Sequence, residues 1–168
     1  MIKDLEDIAK QIADLYRDNL KNDGLFASGN LYQSVKGDIY FGGNYYSVIL
    51  TLPDYWKYTE YGVNGAGPNG WKGSLGKGFT GKPIPVAPIY EWITVKKIVP
   101  YATNGKVPTT QQLAYMFSRS IPQNGIKPRY TLKNTLNSSE MDVLIEDFKN
   151  EIAEMYRATI IDIIKNTL

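Results

Sequence analysis

The chain has no cysteine and no histidine. Their absence removes thiol nucleophiles, thiolate zinc sites, disulfides and imidazole acid–base catalysis together. With no Cys, nothing marks the redox compartment, and a reducing cytoplasm is the default. No apolar run approaches the roughly 20 residues that a membrane span needs. The first residues, Met1-Ile2-Lys3-Asp4-Leu5-Glu6-Asp7, are amphipathic and acidic. A secretory signal has a basic start and an apolar core instead. Synthesis inside the cell and no membrane partner are therefore expected. Carboxylates are scarce in the middle of the chain, where residues 24–137 hold only Asp38, Asp54, Glu60 and Glu91. Nothing places two of them to flank a scissile bond. A metal site would have to be all oxygen, and no loop has the spaced carboxylates of a calcium site. No metal and no cofactor are expected.

What is present is an ordinary globular composition over 168 residues, enough for one domain with a real core. The net charge of +2 is unevenly placed. Residues 1–23 carry four basic and six acidic side chains, and residues 138–168 carry three and seven. The middle, 24–137, holds twelve basic against four acidic. A basic middle suits nucleic acid or an acidic partner; scattered lysines on solvated loops are the plainer reading.

Hydrophobic periodicity predicts a first helix over 2–21, with Ile2, Leu5, Ile8, Ile12, Leu15, Tyr16 and Leu20 in one stripe and Gly24 past its end. Residues 39–41 and 45–52 read as two strands around the hairpin residues Gly42-Gly43-Asn44. Tyr46, Val48, Leu50 and Leu52 share one face of the second strand; the other face is only partly polar. A short helix is expected over 54–61, capped by Asp54 and stopped by Gly62. Residues 62–88 are rich in Gly and Pro and cannot hold regular structure along their length. A loop that long is expected to be disordered alone or ordered by a partner, and Trp71 and Phe79 within it favour the partner. Helices follow over 88–98, with a strand as the alternative, and over 109–120, with Pro122 after its end. Residues 130–136 are extended or a short helix. A long final helix is expected over 139–166, capped by Ser138 or Ser139. The expected fold is one α+β domain over 1–168. A small antiparallel sheet is packed by long N- and C-terminal helices, and residues 62–127 form a Gly/Pro-rich loop with a helical insert.

Gly76-Lys77-Gly78-Phe79-Thr80-Gly81-Lys82 has the spacing of a phosphate-binding loop, but Pro83 stands where a magnesium-holding Ser or Thr belongs. Pro85 and Pro88 argue against the helix that should follow. Ser28 has no His partner for a hydrolase triad. Glu60, between Tyr58 and Tyr61, is the one carboxylate in an aromatic setting; it would act as an acid only if its pKa were raised, and capping or pairing is the commoner fate. Trp71, Lys72, Lys77, Phe79 and Lys82 interleave aromatic and basic side chains, which makes them the candidate contact with DNA or another partner.

Three strings occur in fixed order. Ser28-Gly29-Asn30-Leu31-Tyr32-Gln33-Ser34-Val35 follows the first helix. Tyr55-Trp56-Lys57-Tyr58-Thr59-Glu60-Tyr61-Gly62 follows the strands, and Pro128-Arg129-Tyr130-Thr131-Leu132 precedes the last helix. In this order the chain resembles the tail-completion, or head–tail joining, proteins of long-tailed bacteriophages, over residues 1–65 and 126–168. Ser28, Gly29, Asn30, Leu31, Ser34, Tyr58, Glu60, Tyr61, Gly62, Pro128, Arg129, Tyr130 and Leu132 carry the likeness. The 65 residues between Gly62 and Pro128 depart from it. The resemblance implies a structural, non-enzymatic virion protein: a ring subunit at the phage neck that touches portal or connector and tail proteins and lines or seals the DNA channel. A sequence-tolerant nucleic-acid-binding module is the alternative.

Overall fold

The computed structural model describes residues 2–25, 30–43, 45–102 and 106–167, with Ile2, Lys3 and Thr167 described by backbone alone. Among the described residues the chain is mixed helix and strand, with seven helices and one two-stranded antiparallel sheet. Internal contacts gather it into two compact units, residues 1–22, 32–53 and 131–168 in the first and 23–31 and 54–130 in the second.

The first unit is built on helix α1 (Ile2–Asn22). Of the expected stripe, Leu5, Ile8, Ile12, Tyr16 and Leu20 are buried and Leu15 is half-buried, while the Ile2 side chain lies outside the described residues; Ala9 and Ala13 join the core. Gly24, at φ +70°, follows its end. Strands β1 (Lys36–Phe41) and β2 (Tyr46–Thr51) pair antiparallel, with Lys36 opposite Thr51 and Phe41 opposite Tyr46. The hairpin falls at the expected place, although Asn44 lies outside the described residues. Val48 and Leu50 point into a cluster with Ile8, Ile12 and Met141, whereas Ile49 and Tyr45 are exposed. This is the two-faced alternation of a sheet covered on one side. Helix α2 (Asn30–Ser34) ends against Arg17, which donates to the Tyr32 and Val35 carbonyls. A cation there satisfies helix-end acceptors. Helix α6 (Thr131–Leu136) meets α1 through Asn19, whose side-chain amide donates to Thr135 Oγ1 at 2.9 Å. Helix α7 (Ser139–Thr167) is the long terminal helix, and Ser138 caps it by accepting from the Met141 amide at 3.2 Å.

In the second unit, helix α3 (Trp56–Tyr61) starts later than expected. Asp54 does not cap it; Tyr55 holds that position with no side-chain bond. Helices α4 (Val86–Val95) and α5 (Thr110–Asn124) pack together around Ile89, Ile93, Leu113 and Ala114. The strand alternative for 88–98 is not realised. Nor do Pro85 and Pro88 prevent a helix there. Pro85 is the N-cap residue and Pro88 lies in the first turn, where backbone N–H groups have no intrahelical acceptor and proline costs nothing. Thr109 and Gln112 form a reciprocal capping box at the start of α5.

Pro122 requires a correction. It does not follow α5 but lies inside its last turn, two residues before Asn124. A helical proline leaves the carbonyl four residues back without its donor. That carbonyl belongs to Ser118, and it accepts instead from the Ile84 amide at 3.1 Å. The Ser118 hydroxyl returns a bond to the Ile84 carbonyl at 2.8 Å. The proline thus opens a helix to hold the segment that leads into α4.

Candidate functional site

Of the expected irregular stretch 62–88, residues 62–85 contain no helix or strand, but 86–88 open α4, and the loop is bonded to the chain itself. The last carbonyls of a helix have no intrahelical donor. Here the loop supplies it. Ala66 N–H donates to the Pro122 carbonyl at 2.9 Å, Gly67 to Gln123 at 2.9 Å, and Trp71 to Asn124 at 2.8 Å. Val63 and Ile126 exchange both backbone bonds, and Asn64 bridges to Gly78. The Asn64 side chain accepts from the Gly73 amide at 2.6 Å. A loop that wraps a helix end so closely leaves no room for side chains: a Cβ at Gly65 would lie 2.4 Å from the Gln123 carbonyl oxygen.

The same wrapping joins two of the three sequence strings. Arg129 N–H donates to the Thr59 carbonyl at 3.0 Å, and Tyr130 N–H to the Glu60 carbonyl at 3.2 Å. Gly62, at φ +72°, turns the chain where a Cβ would meet the Ile126 oxygen at 2.4 Å. Tyr130 itself takes a left-handed backbone, φ 56°, uncommon for a bulky residue. Glu60 is buried, at 3 % exposure, Tyr58 is half-buried under the Lys57 ammonium, and Tyr61 is exposed. Pro128 and Leu132 are half-buried and Arg129 is exposed. The third string is only partly described. Ser28 and Gly29 lie outside the described residues, while Asn30 is exposed, Leu31 buried and Ser34 half-buried on α2.

On the outside of the loop, Trp71 is 47 % exposed. The Lys127 ammonium stands 5.1 Å from the centre of its ring, a cation–π contact. Lys72, Lys77 and Lys82 are exposed, and Lys72 Nζ lies 3.5 Å from the Gly65 carbonyl oxygen. Phe79 is half-buried. Periodicity gave no reason to name Lys127, because its partner is 56 positions away and the contact follows no repeat. Within the Gly76–Lys82 string the Phe79 amide is already bonded to the Asn64 carbonyl at 2.9 Å.

Surface cavities among the described residues elsewhere include three. One is lined by Val86, Ala87, Tyr90, Glu91 and Gln111, and one by Thr109, Gln111, Gln112, Tyr115 and Met116. The third lies between α1 and α7, with Asp4, Asp7, Asp147 and Glu151 in its wall. Glu60 lines none of these three. Among the described residues, no three carboxylates stand close enough to hold a metal ion, and no helix is long and apolar enough to cross a membrane. No protein-family model, no curated protein and no solved structure matches the chain.

Proposed function

We propose that this protein is a non-enzymatic α+β subunit of a bacteriophage neck ring, found in the virion, that joins head to tail and lines or seals the DNA channel. The observation that carries the reading is the meeting of the Tyr58–Gly62 and Pro128–Leu132 strings through paired backbone bonds. Both strings belong to the likeness with tail-completion proteins, and their contact gives them a shared structural task rather than a chemical one. The many large apolar side chains left exposed, among them Phe41, Trp71, Tyr101 and Ile160, support an assembly part that finishes burial against neighbours. Portal or connector and tail proteins are the neighbours this reading names. The test is electron microscopy of lysate from a phage with an early stop codon in this gene. Separate DNA-filled heads and finished tails are expected; normally joined virions would overturn the reading.

A second reading, a sequence-tolerant nucleic-acid-binding module, draws on the half-exposed Trp71 under Lys127 and the exposed Lys72, Lys77 and Lys82. Bases stack on an accessible indole and phosphates attract the surrounding ammoniums. It predicts duplex binding by the isolated protein that falls steeply with salt. In the neck reading the same lysines face the channel, and reversing their charge should impair genome retention or ejection.

A further inference from the structure

The segments that close the end of α5, residues 62–82 and 122–130, contain Lys72, Lys77, Lys82, Lys127 and Arg129 and no carboxylate. All five cations are exposed. Among the described residues none of the five is paired with a carboxylate, whereas Arg17, Lys149 and Arg157 on α1 and α7 each meet one a turn away. Like charges gathered without a counter-charge repel one another and attract an anion. The backbone beneath them is fixed. The Asn64 amide donates to the Lys77 carbonyl at 3.0 Å, and the next amide, Gly65, to the Trp71 carbonyl at 2.9 Å. The Trp71 amide is bonded to Asn124, and Lys127, three residues further on, sets its ammonium over the indole. Lys82 follows Gly81, whose carbonyl accepts from Gln123 Nε2 at 3.2 Å. The Arg129 amide is bonded to Thr59. The cations therefore stand on one bonded framework with Trp71, which is itself nearly half exposed.

We propose that this framework binds single-stranded nucleic acid, with an unpaired base stacked on Trp71 and the neighbouring phosphates held by the cations. The inference rests on the nucleic-acid reading above and deepens it by naming the form of the strand. Phosphate attraction alone draws duplex and single strand alike. The indole discriminates between them, because stacking needs a base with a free face. Inside a duplex both faces of each base are covered by its neighbours; an unpaired base can turn out and lie on an aromatic ring. The carboxylates of an acidic protein would neutralise the cations but give the indole nothing flat to stack on. The Lys127 ammonium, held at the ring, stands where the phosphate of a stacked nucleotide needs a cation. The chain's own backbone bonds already order the loop, so binding loses little entropy in arranging it. Every base has a π-face, so the contact is tolerant of sequence.

Fluorescence anisotropy of labelled oligothymidylate tests it, with a duplex of equal length and polyglutamate as competitors and circular dichroism to verify that each variant is folded. The strand should bind about tenfold or more tighter than the duplex. Trp71→Ala should erase that preference, and Trp71→Phe, which keeps a ring, should retain most of it. Neither should alter the slope of log affinity against log salt. Lys77→Gln with Lys82→Gln should do the reverse, keeping the preference and making the slope shallower by about 1.4. Equal affinity for strand and duplex, or a Trp71→Ala variant with its preference intact, would overturn the proposal and leave the nucleic-acid reading standing on charge alone. Polyglutamate that displaces the strand as well as unlabelled strand does would overturn it in favour of an acidic protein. Absence of binding to all three would overturn both the proposal and the nucleic-acid reading, and the neck reading would rest on its own test.

Discussion

The two units of this chain are held together by different means. In the first, large side chains on α1, β2 and α7 are buried against each other, and Leu5, Tyr16 and Leu20 have almost no accessible surface. In the second, α4 and α5 share a small apolar cluster, but residues 62–81 are fixed by backbone bonds to the open end of α5. The difference teaches where tolerance lies. A side-chain core responds to lost volume. A backbone-bonded loop responds to added volume, because its segments approach each other through positions without a Cβ.

The largest expected effect is in the side-chain core. Leu20→Ala leaves a cavity in a fully buried site and should destabilise the first unit by about 3 kcal/mol, read as a lower urea midpoint. A change under about 1 kcal/mol would show that the site collapses and that the core is less tightly built than its burial indicates.

Next comes the loop. Gly65→Ala would put a methyl group 2.4 Å from the Gln123 carbonyl oxygen, and the loop must move off the helix end. A cost of about 2 kcal/mol is expected, together with faster hydrogen exchange at the Ala66, Gly67 and Trp71 amides. Amides of α1 should keep their protection. If protection falls equally in α1, the contrast between the units fails, because both would open as one.

Pro122→Ala sharpens the comparison at lower cost. It restores a donor inside α5 that competes with Ile84 for the Ser118 carbonyl. A gained helix bond and a lost loop bond are each worth about 1 kcal/mol, so net stability should hardly move. The Ile84 amide, however, should exchange faster. An unchanged Ile84 amide would mean that the Ser118 hydroxyl alone holds the segment.

These contrasts also explain what the sequence disclosed. The stripe of α1, the start of the α7 stripe at Met141, Leu144 and Phe148, the alternation of Val48, Ile49 and Leu50 and the hairpin at Gly42-Gly43 are readable, because burial of side chains imposes a period on residue type; Tyr156, Ile160, Ile163 and Ile164 continue the α7 period but are exposed. A cap at Ser138 or Ser139 was readable from residue type, and the bond from the Met141 amide selects Ser138. Pro122 was misread because a proline marks either a helix end or a helix with a diverted carbonyl, and the diverted bond joins Ser118 to Ile84, 34 positions earlier. Pro85 and Pro88 were misread because first-turn prolines resemble breakers until the helix start is known. Glycines and prolines at 62–81 signalled only the absence of regular structure; the order they permit comes from backbone groups beyond residue 121, which write no pattern into the loop. The candidate site followed the same rule. Lys72, Lys77 and Lys82 were visible as basic residues near aromatics, whereas Lys127 over Trp71 needed the fold.

The smallest expected effect concerns charge at the start of α7. The Glu140 carboxyl is held below its ordinary value of 4.5, first by its own backbone N–H and then by the Ser138 and Ser139 side chains. Ser139 Oγ donates to it at 3.3 Å. The anion also lies in the first turn, where the helix dipole favours negative charge. Because the folded pKa is the lower one, the folded state binds the proton less well than the unfolded chain does. The contribution is therefore fully present above about pH 4.5 and is lost as pH falls through the folded value. The group is fully exposed, so salt should weaken the effect. In Glu140→Gln the acid limb of the stability profile should become slightly shallower, and the Met141 amide should keep its protection from the Ser138 cap. A variant whose acid limb is unchanged at low salt would show that the carboxylate interacts equally in the unfolded chain. The cap of α7 would then rest on Ser138 alone.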